Sequence, residues 1–179
     1  MNASRRGLLL VAGAVLALPG CSRGDRVEAT AHWLGNDFAF GSGLAFTSTD
    51  GTLASVGFFP EPLPAAAIDD VRRLRSVAQA LATRTTPYLV LELRLKAPGK
   101  AGFDNLVRYS VLFANMGGTP VTFNRQSRDW VKDGGIELAG EARAGARLLG
   151  RVRRAGATDI EGTEQPYRWD LGFDTSVVA

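Results

Sequence analysis

Tyr88-Leu89-Val90-Leu91-Glu92-Leu93-Arg94-Leu95-Lys96 puts Leu89, Leu91, Leu93 and Leu95 on one face of an extended chain and Glu92, Arg94 and Lys96 on the other. Side chains of a strand alternate between its two sides, so a period of two with one apolar face marks a half-buried strand. The pattern recurs in Leu106 to Ala114, where Val107, Tyr109, Val111 and Phe113 share a face. It returns at the end of the chain, with Tyr167, Trp169, Leu171 and Phe173 set against Arg168, Asp170, Gly172 and Asp174. It also opens the domain, with Val27, Ala29, Ala31 and Trp33 against Glu28, Thr30 and His32.

Turn chemistry punctuates these runs. Gly35-Asn36-Asp37 and Thr49-Asp50-Gly51 read as turns, and Gly41-Ser42-Gly43 breaks a strand that carries Phe38 and Phe40 before it and Leu44 and Phe46 after it. Thr52 to Phe59 is the return strand; Pro60, Pro62 and Pro64 stop it, because proline cannot donate to a ladder. Asn115 to Pro120 is a turn, Val121 to Gln126 a short strand, and Ser127 to Gly135 a loop containing Trp130. Ile136 to Arg143 and Arg147 to Arg154 form a hairpin about Ala144-Gly145-Ala146, and Ala155 to Gln165 is a polar loop.

One segment changes period. Between Ala65 and Ala82, Ile68, Val71, Leu74, Val77, Ala78 and Leu81 fall on one face at helical spacing. Asp69 and Asp70 near its start and the arginines after them suit the helix dipole. The expected fold is therefore mainly all-β: an antiparallel β-sandwich or barrel of about 8–10 strands, with one α-helix inserted near 65–82 to cover an edge or a mouth.

The hairpin about Gly145 has the most informative surface. A three-residue loop pairs Arg143 with Arg147, Glu137 with Arg153, Leu138 with Val152 and Ala142 with Leu148. A one-residue slip would set apolar against charged positions, so the pattern specifies the parity. The outer face then carries Arg143, Arg147, Arg151 and Arg153 against Glu137 and Glu141. Such a strip is either a solvated face of cross-strand charge pairs or a surface for anionic head groups.

The first residues read as an address. Arg5 and Arg6 precede an apolar run from Gly7 to Leu18, about a dozen residues and too short to span a ~30 Å hydrocarbon core. The run ends in Leu18-Pro19-Gly20-Cys21, which holds the chain's single cysteine. This segment resembles the signal of bacterial lipoproteins, whose lipobox ends in a small residue and an invariant cysteine. The resemblance implies cleavage after Gly20, diacylation of the Cys21 thiol and acylation of the new amino terminus. It implies a cleaved signal at 1–20, a lipidated cysteine and short tether at 21–25, and a single mostly-β domain at 26–179. In the Gram-negative families it is similar to, a serine after the cysteine, here Ser22, permits transfer to the outer membrane. Ser4-Arg5-Arg6-Gly7-Leu8-Leu9 also resembles a twin-arginine signal, so both export routes stay open.

Without residues 1–20 the 179-residue chain keeps a single-domain length, and its formal charge of +3 falls by the two charges of Arg5 and Arg6. A near-neutral domain argues against nucleic acid as a partner. His32 is the sole histidine and lies on the polar face of the first strand, which leaves no Ser-His-Asp triad to assemble. One histidine and one cysteine do not make a zinc site, and Asp159, Glu161 and Glu164 lack the calcium-loop spacing. The expectation is no catalytic residue, no metal and no cofactor. Trp33 and Trp169 sit on apolar faces and read as core; Trp130, in a loop between Asp129 and Lys132, is the aromatic whose setting permits an exposed contact. The functional expectation is an envelope lipoprotein acting as a non-catalytic binding module. It would meet the membrane through its lipid anchor and a protein or glycan through its domain. The alternatives are an immunity protein against a secreted toxin and a cell-wall hydrolase with two carboxylates brought together in space.

Overall fold

The structure is a computed structural model that describes residues 25–126 and 135–178. Cys21, residues 22–24 of the tether and Trp130 lie outside the described residues. The elements in order are β1 (Arg26–Trp33), β2 (Asn36–Phe40), β3 (Ser42–Thr47), β4 (Leu53–Phe59), α1 (Ala65–Leu74), α2 (Val77–Leu81), β5 (Tyr88–Leu95) and β6 (Gly99–Lys100). Then follow a short 3-10 turn, β7 (Leu106–Ala114), β8 (Val121–Gln126), β9 (Ile136–Ala142), β10 (Arg147–Ile160) and β11 (Thr163–Val178).

The all-β class with a helical insert holds. Among the described residues eleven strands join in one sheet in the order β6-β9-β10-β11-β3-β4-β5-β7-β8, with β1 and β2 branching from β11. The branch explains the shape. One edge of β11 pairs with β1 from Arg168 to Asp174, and then with β3, in parallel, at Val177 and Val178. The described pairings are otherwise antiparallel. Strands β2 and β3 form one path that bends at Gly41 from one half of the sheet to the other. The two halves face each other across the main core, where Trp33, Trp169, Leu171 and Phe173 meet Phe58, Leu91, Leu93 and Phe113. Edge-to-face contacts such as Trp33–Phe113, with centroids 5.4 Å apart, and Phe58–Phe173, at 6.0 Å, bridge the halves.

A second, smaller core lies on the outer face of the β3-β4-β5-β7 half. There Leu44, Phe46, Phe59, Tyr88 and Val90 receive Ala67 and Val71 of α1 and Val77, Ala80 and Leu81 of α2. The insert is two helices rather than one. Arg75 adopts a left-handed φ of 51° and breaks the chain between them, and Ser76 caps α2 by accepting a bond from Gln79 N at 3.3 Å. The break resets the helical phase. Val71 is fully buried, whereas Leu74, assigned to the interior by spacing, is 38% exposed. Val71→Asp is therefore expected to cost several kcal/mol, and Leu74→Asp less than about 1 kcal/mol. Thermal melts of the two variants test this, and equal losses would show that the face is misassigned.

Four local expectations are corrected. The first turn is Leu34-Gly35, both at positive φ, and Asn36 and Asp37 already belong to β2. Val107 leaves the apolar face, at 38% exposure, because the β5·β7 register shifts at Arg94/Leu95. The segment 155–165 is not a loop: β10 and β11 pair as far as Ile160↔Thr163, and Glu161-Gly162, both at positive φ, make the two-residue turn. The β9·β10 hairpin keeps its parity but slips by two residues, so Leu148 faces Gly140 and Arg151 faces Glu137. The cause is that β9 changes partner at Gly140. Beyond it Glu141 and Ala142 pair with β6, while the turn docks on β11 through Gly145 N to Val177 O at 2.9 Å.

Candidate functional site

The arginine strip lies where the parity put it, but its neighbours differ. Arg151 makes two bonds of 2.6 Å to the Asp170 carboxylate, which holds the guanidinium further above its ordinary pKa. Arg147 donates to Asp174 Oδ1 at 2.8 Å and to Asp25 Oδ1 at 3.1 Å. Arg153 reaches Glu137 at 3.1 Å, and Arg143 pairs with Glu141. Asp170 and Asp174 come from β11, on the far side of β10 from Glu137. The strip is thus a charge-compensated row, and such a row attracts an anionic surface far less than four open cations would.

His32 Nδ1 lies 2.9 Å from Asp37 Oδ1 across the first hairpin. Asp159 accepts from Gly162 N at 3.0 Å at the tip of the β10–β11 hairpin, a turn role. Among the described residues no group of three or more His, Cys, Asp or Glu is placed to hold a metal ion.

One concave feature is built by elements whose sequence signal is only a strand stop. After β4, Pro60-Glu61-Pro62-Leu63-Pro64 lacks three backbone donors and cannot extend the ladder. Pro64 instead begins α1, its carbonyl accepting from Ala67 N at 2.9 Å. After α2 the chain returns through Arg84, Thr86 and Pro87 to Tyr88, the first residue of β5. Asn115, in the turn after β7, pins this return by donating from Nδ2 to Arg84 O and to Thr86 O, the latter at 3.2 Å. Between the two proline-bearing segments lies a cavity of about 400 Å³, lined also by Phe59, Leu63 and Leu81. That falls within the range of small-molecule sites, ~300–1,000 Å³.

The floor and walls are apolar: Phe59, Leu81 and Tyr88 are buried at 3%, 1% and 5% exposure. The polar groups stand apart from one another. Among the described residues, the Arg84 guanidinium and the Glu61 carboxylate make no ion pair, and the Tyr88 hydroxyl makes no hydrogen bond. Burial raises the Tyr88 pKa, so the phenol stays a neutral donor. Unengaged donors on an apolar wall suit binding, and no acid–base pair is assembled here. Comparison with protein-family models, curated proteins and solved structures finds no match to this chain.

Proposed function

We propose that the chain is a lipid-anchored, non-catalytic binding protein of the bacterial cell envelope, tethered by Cys21, with the proline-walled cavity as its binding site. One observation carries the anchoring half. Asp25, four residues after Cys21, is clasped at the end of β11: its Oδ1 accepts from Ser176 N at 2.8 Å, from Ser176 Oγ at 3.2 Å and from Arg147 Nη1 at 3.1 Å. The first described residue is thus tied down four positions after Cys21. Four intervening steps reach only about 15 Å at ~3.5 Å per residue, so an acylated Cys21 would hold the domain close to a bilayer. Ser22 favours the periplasmic face of the outer membrane as the destination. Among the described residues no helix is long and apolar enough to cross a membrane.

Cys21→Ser is expected to abolish incorporation of a labelled fatty acid and to move the protein from the membrane to the soluble fraction. Wild-type labelling and retention of the serine variant would contradict the anchor.

A further inference from the structure

We infer that the proline-walled cavity takes a small amphiphilic carboxylate, its apolar body against the prolines and its single negative charge on the Arg84 guanidinium. This rests on the cavity being the binding site and specifies what it binds. The cavity's backbone argues against an extended peptide. Pro60, Pro62, Pro64 and Pro87 lack an N–H, so the rim offers no row of donors for an added strand. The lining side chains that can donate are those of Arg84, Thr86 and Tyr88, and none of the three has a side-chain partner among the described residues.

Arg84 contrasts with the arginines of β10. Arg147, Arg151 and Arg153 each meet a carboxylate supplied by the fold. Arg84 lies half-buried beside an apolar wall without one. Its planar fork matches a carboxylate in two parallel bonds, and an adjacent apolar wall strengthens such a pair by keeping water away. The lining carries one cation and one anion, Arg84 and Glu61, with Glu61 exposed at the rim. That balance suits a ligand with one negative charge better than a phosphate dianion. Tyr88, buried and protonated, supplies a second donor.

The test uses the full chain carrying Cys21→Ser, so that its own acyl groups cannot enter the cavity. The chain has three tyrosines, so carbon-13 labelling of tyrosine gives a simple spectrum in which the Tyr88 signal is the one lost in Tyr88→Phe. Octanoate, octanol, octylammonium and octyl phosphate are titrated separately. The proposal expects octanoate to shift the Tyr88 signal saturably, and octanol and octylammonium to bind at least ten-fold more weakly. Arg84→Gln should weaken octanoate about ten-fold or more, leave octanol unchanged and keep the melting temperature. Tyr88→Phe, followed by calorimetry, should weaken octanoate by a smaller factor. Octanol binding as tightly as octanoate, or indifference of octanoate to Arg84→Gln, would overturn the ligand class while leaving the cavity a binding site. Tighter binding of octyl phosphate as a dianion would make it a phosphate site instead. No response to any probe would remove the cavity from the functional reading and leave the Cys21 anchor to its own test.

Discussion

Trp169→Ala is expected to destabilise the domain by about 3–5 kcal/mol, the cost of emptying a large buried aromatic site. For a domain of this size that lowers the melting temperature by ~6–20 °C. Trp169 is 1% exposed and lies where the two halves of the sheet meet. Its ring stacks on Tyr167 at 5.1 Å, and contacts Phe123 at 5.2 Å and Phe113 at 5.6 Å. Those partners come from β11, β8 and β7, so one side chain joins β11 to the β7–β8 pair, with which β11 shares no ladder. Trp169→Phe should cost much less. It keeps an aromatic ring in the site, and it removes an Nε1 that is buried without a hydrogen-bond partner. Equal losses for the two variants, read by thermal unfolding, would mean that packing at this junction does not hold the halves together.

Gly140→Ala is the second large effect. Gly140 has φ of 90°, and a Cβ there would stand 2.1 Å from the backbone carbonyl oxygen of Arg147. Neither strand can yield cheaply, because β9 is pinned to β10 on one side of this residue and to β6 on the other. The strained φ and the clash together are expected to cost about 3 kcal/mol or more. Gly145 is the control. Its φ is 77°, but nothing lies within 4 Å of an added Cβ. Gly145→Ala should cost only the ~1–2 kcal/mol of a left-handed residue with a side chain. A smaller loss at Gly140 than at Gly145 would show that β9 does not change partners there.

Strand faces were the most legible feature of the sequence, because a period of two is a local property. Leu89, Leu91, Leu93 and Leu95, like Trp169 and Leu171, are all buried as their alternation required. What failed was non-local. Ala155 to Gln165 contains Gly156, Gly162 and Pro166-flanking polar residues, a loop by composition, yet it is strand because β10 and β11 lend each other a ladder. Missing that pairing also hid Asp170 and Asp174 as partners of Arg151 and Arg147. The arginine strip therefore looked more basic in sequence than it is in the fold. The helix failed at one residue. Arg75 carries no sequence mark of a left-handed break, and a continuous phase placed Leu74 inside.

The candidate site was less legible still. Pro60, Pro62 and Pro64 announce that a strand ends, but not that a second segment, Arg84 to Tyr88, returns opposite them. That return depends on Asn115, thirty-one residues from Arg84, whose side chain bonds two carbonyls of the returning loop. Among the described residues Arg84 shares the lack of a carboxylate partner with Arg75, Arg94 and Arg108; what sets it apart is its place in the lining of the cavity, which is a property of the folded surface.

The central claim, an acylated Cys21 holding the domain at a membrane, is tested most directly by mass spectrometry of the amino-terminal peptide of the protein isolated from its native membrane. The account predicts a chain that begins at Cys21 and carries acyl groups on the thiol and on the new amino terminus. A mature chain that begins elsewhere, or at a Cys21 bearing no lipid, would contradict it.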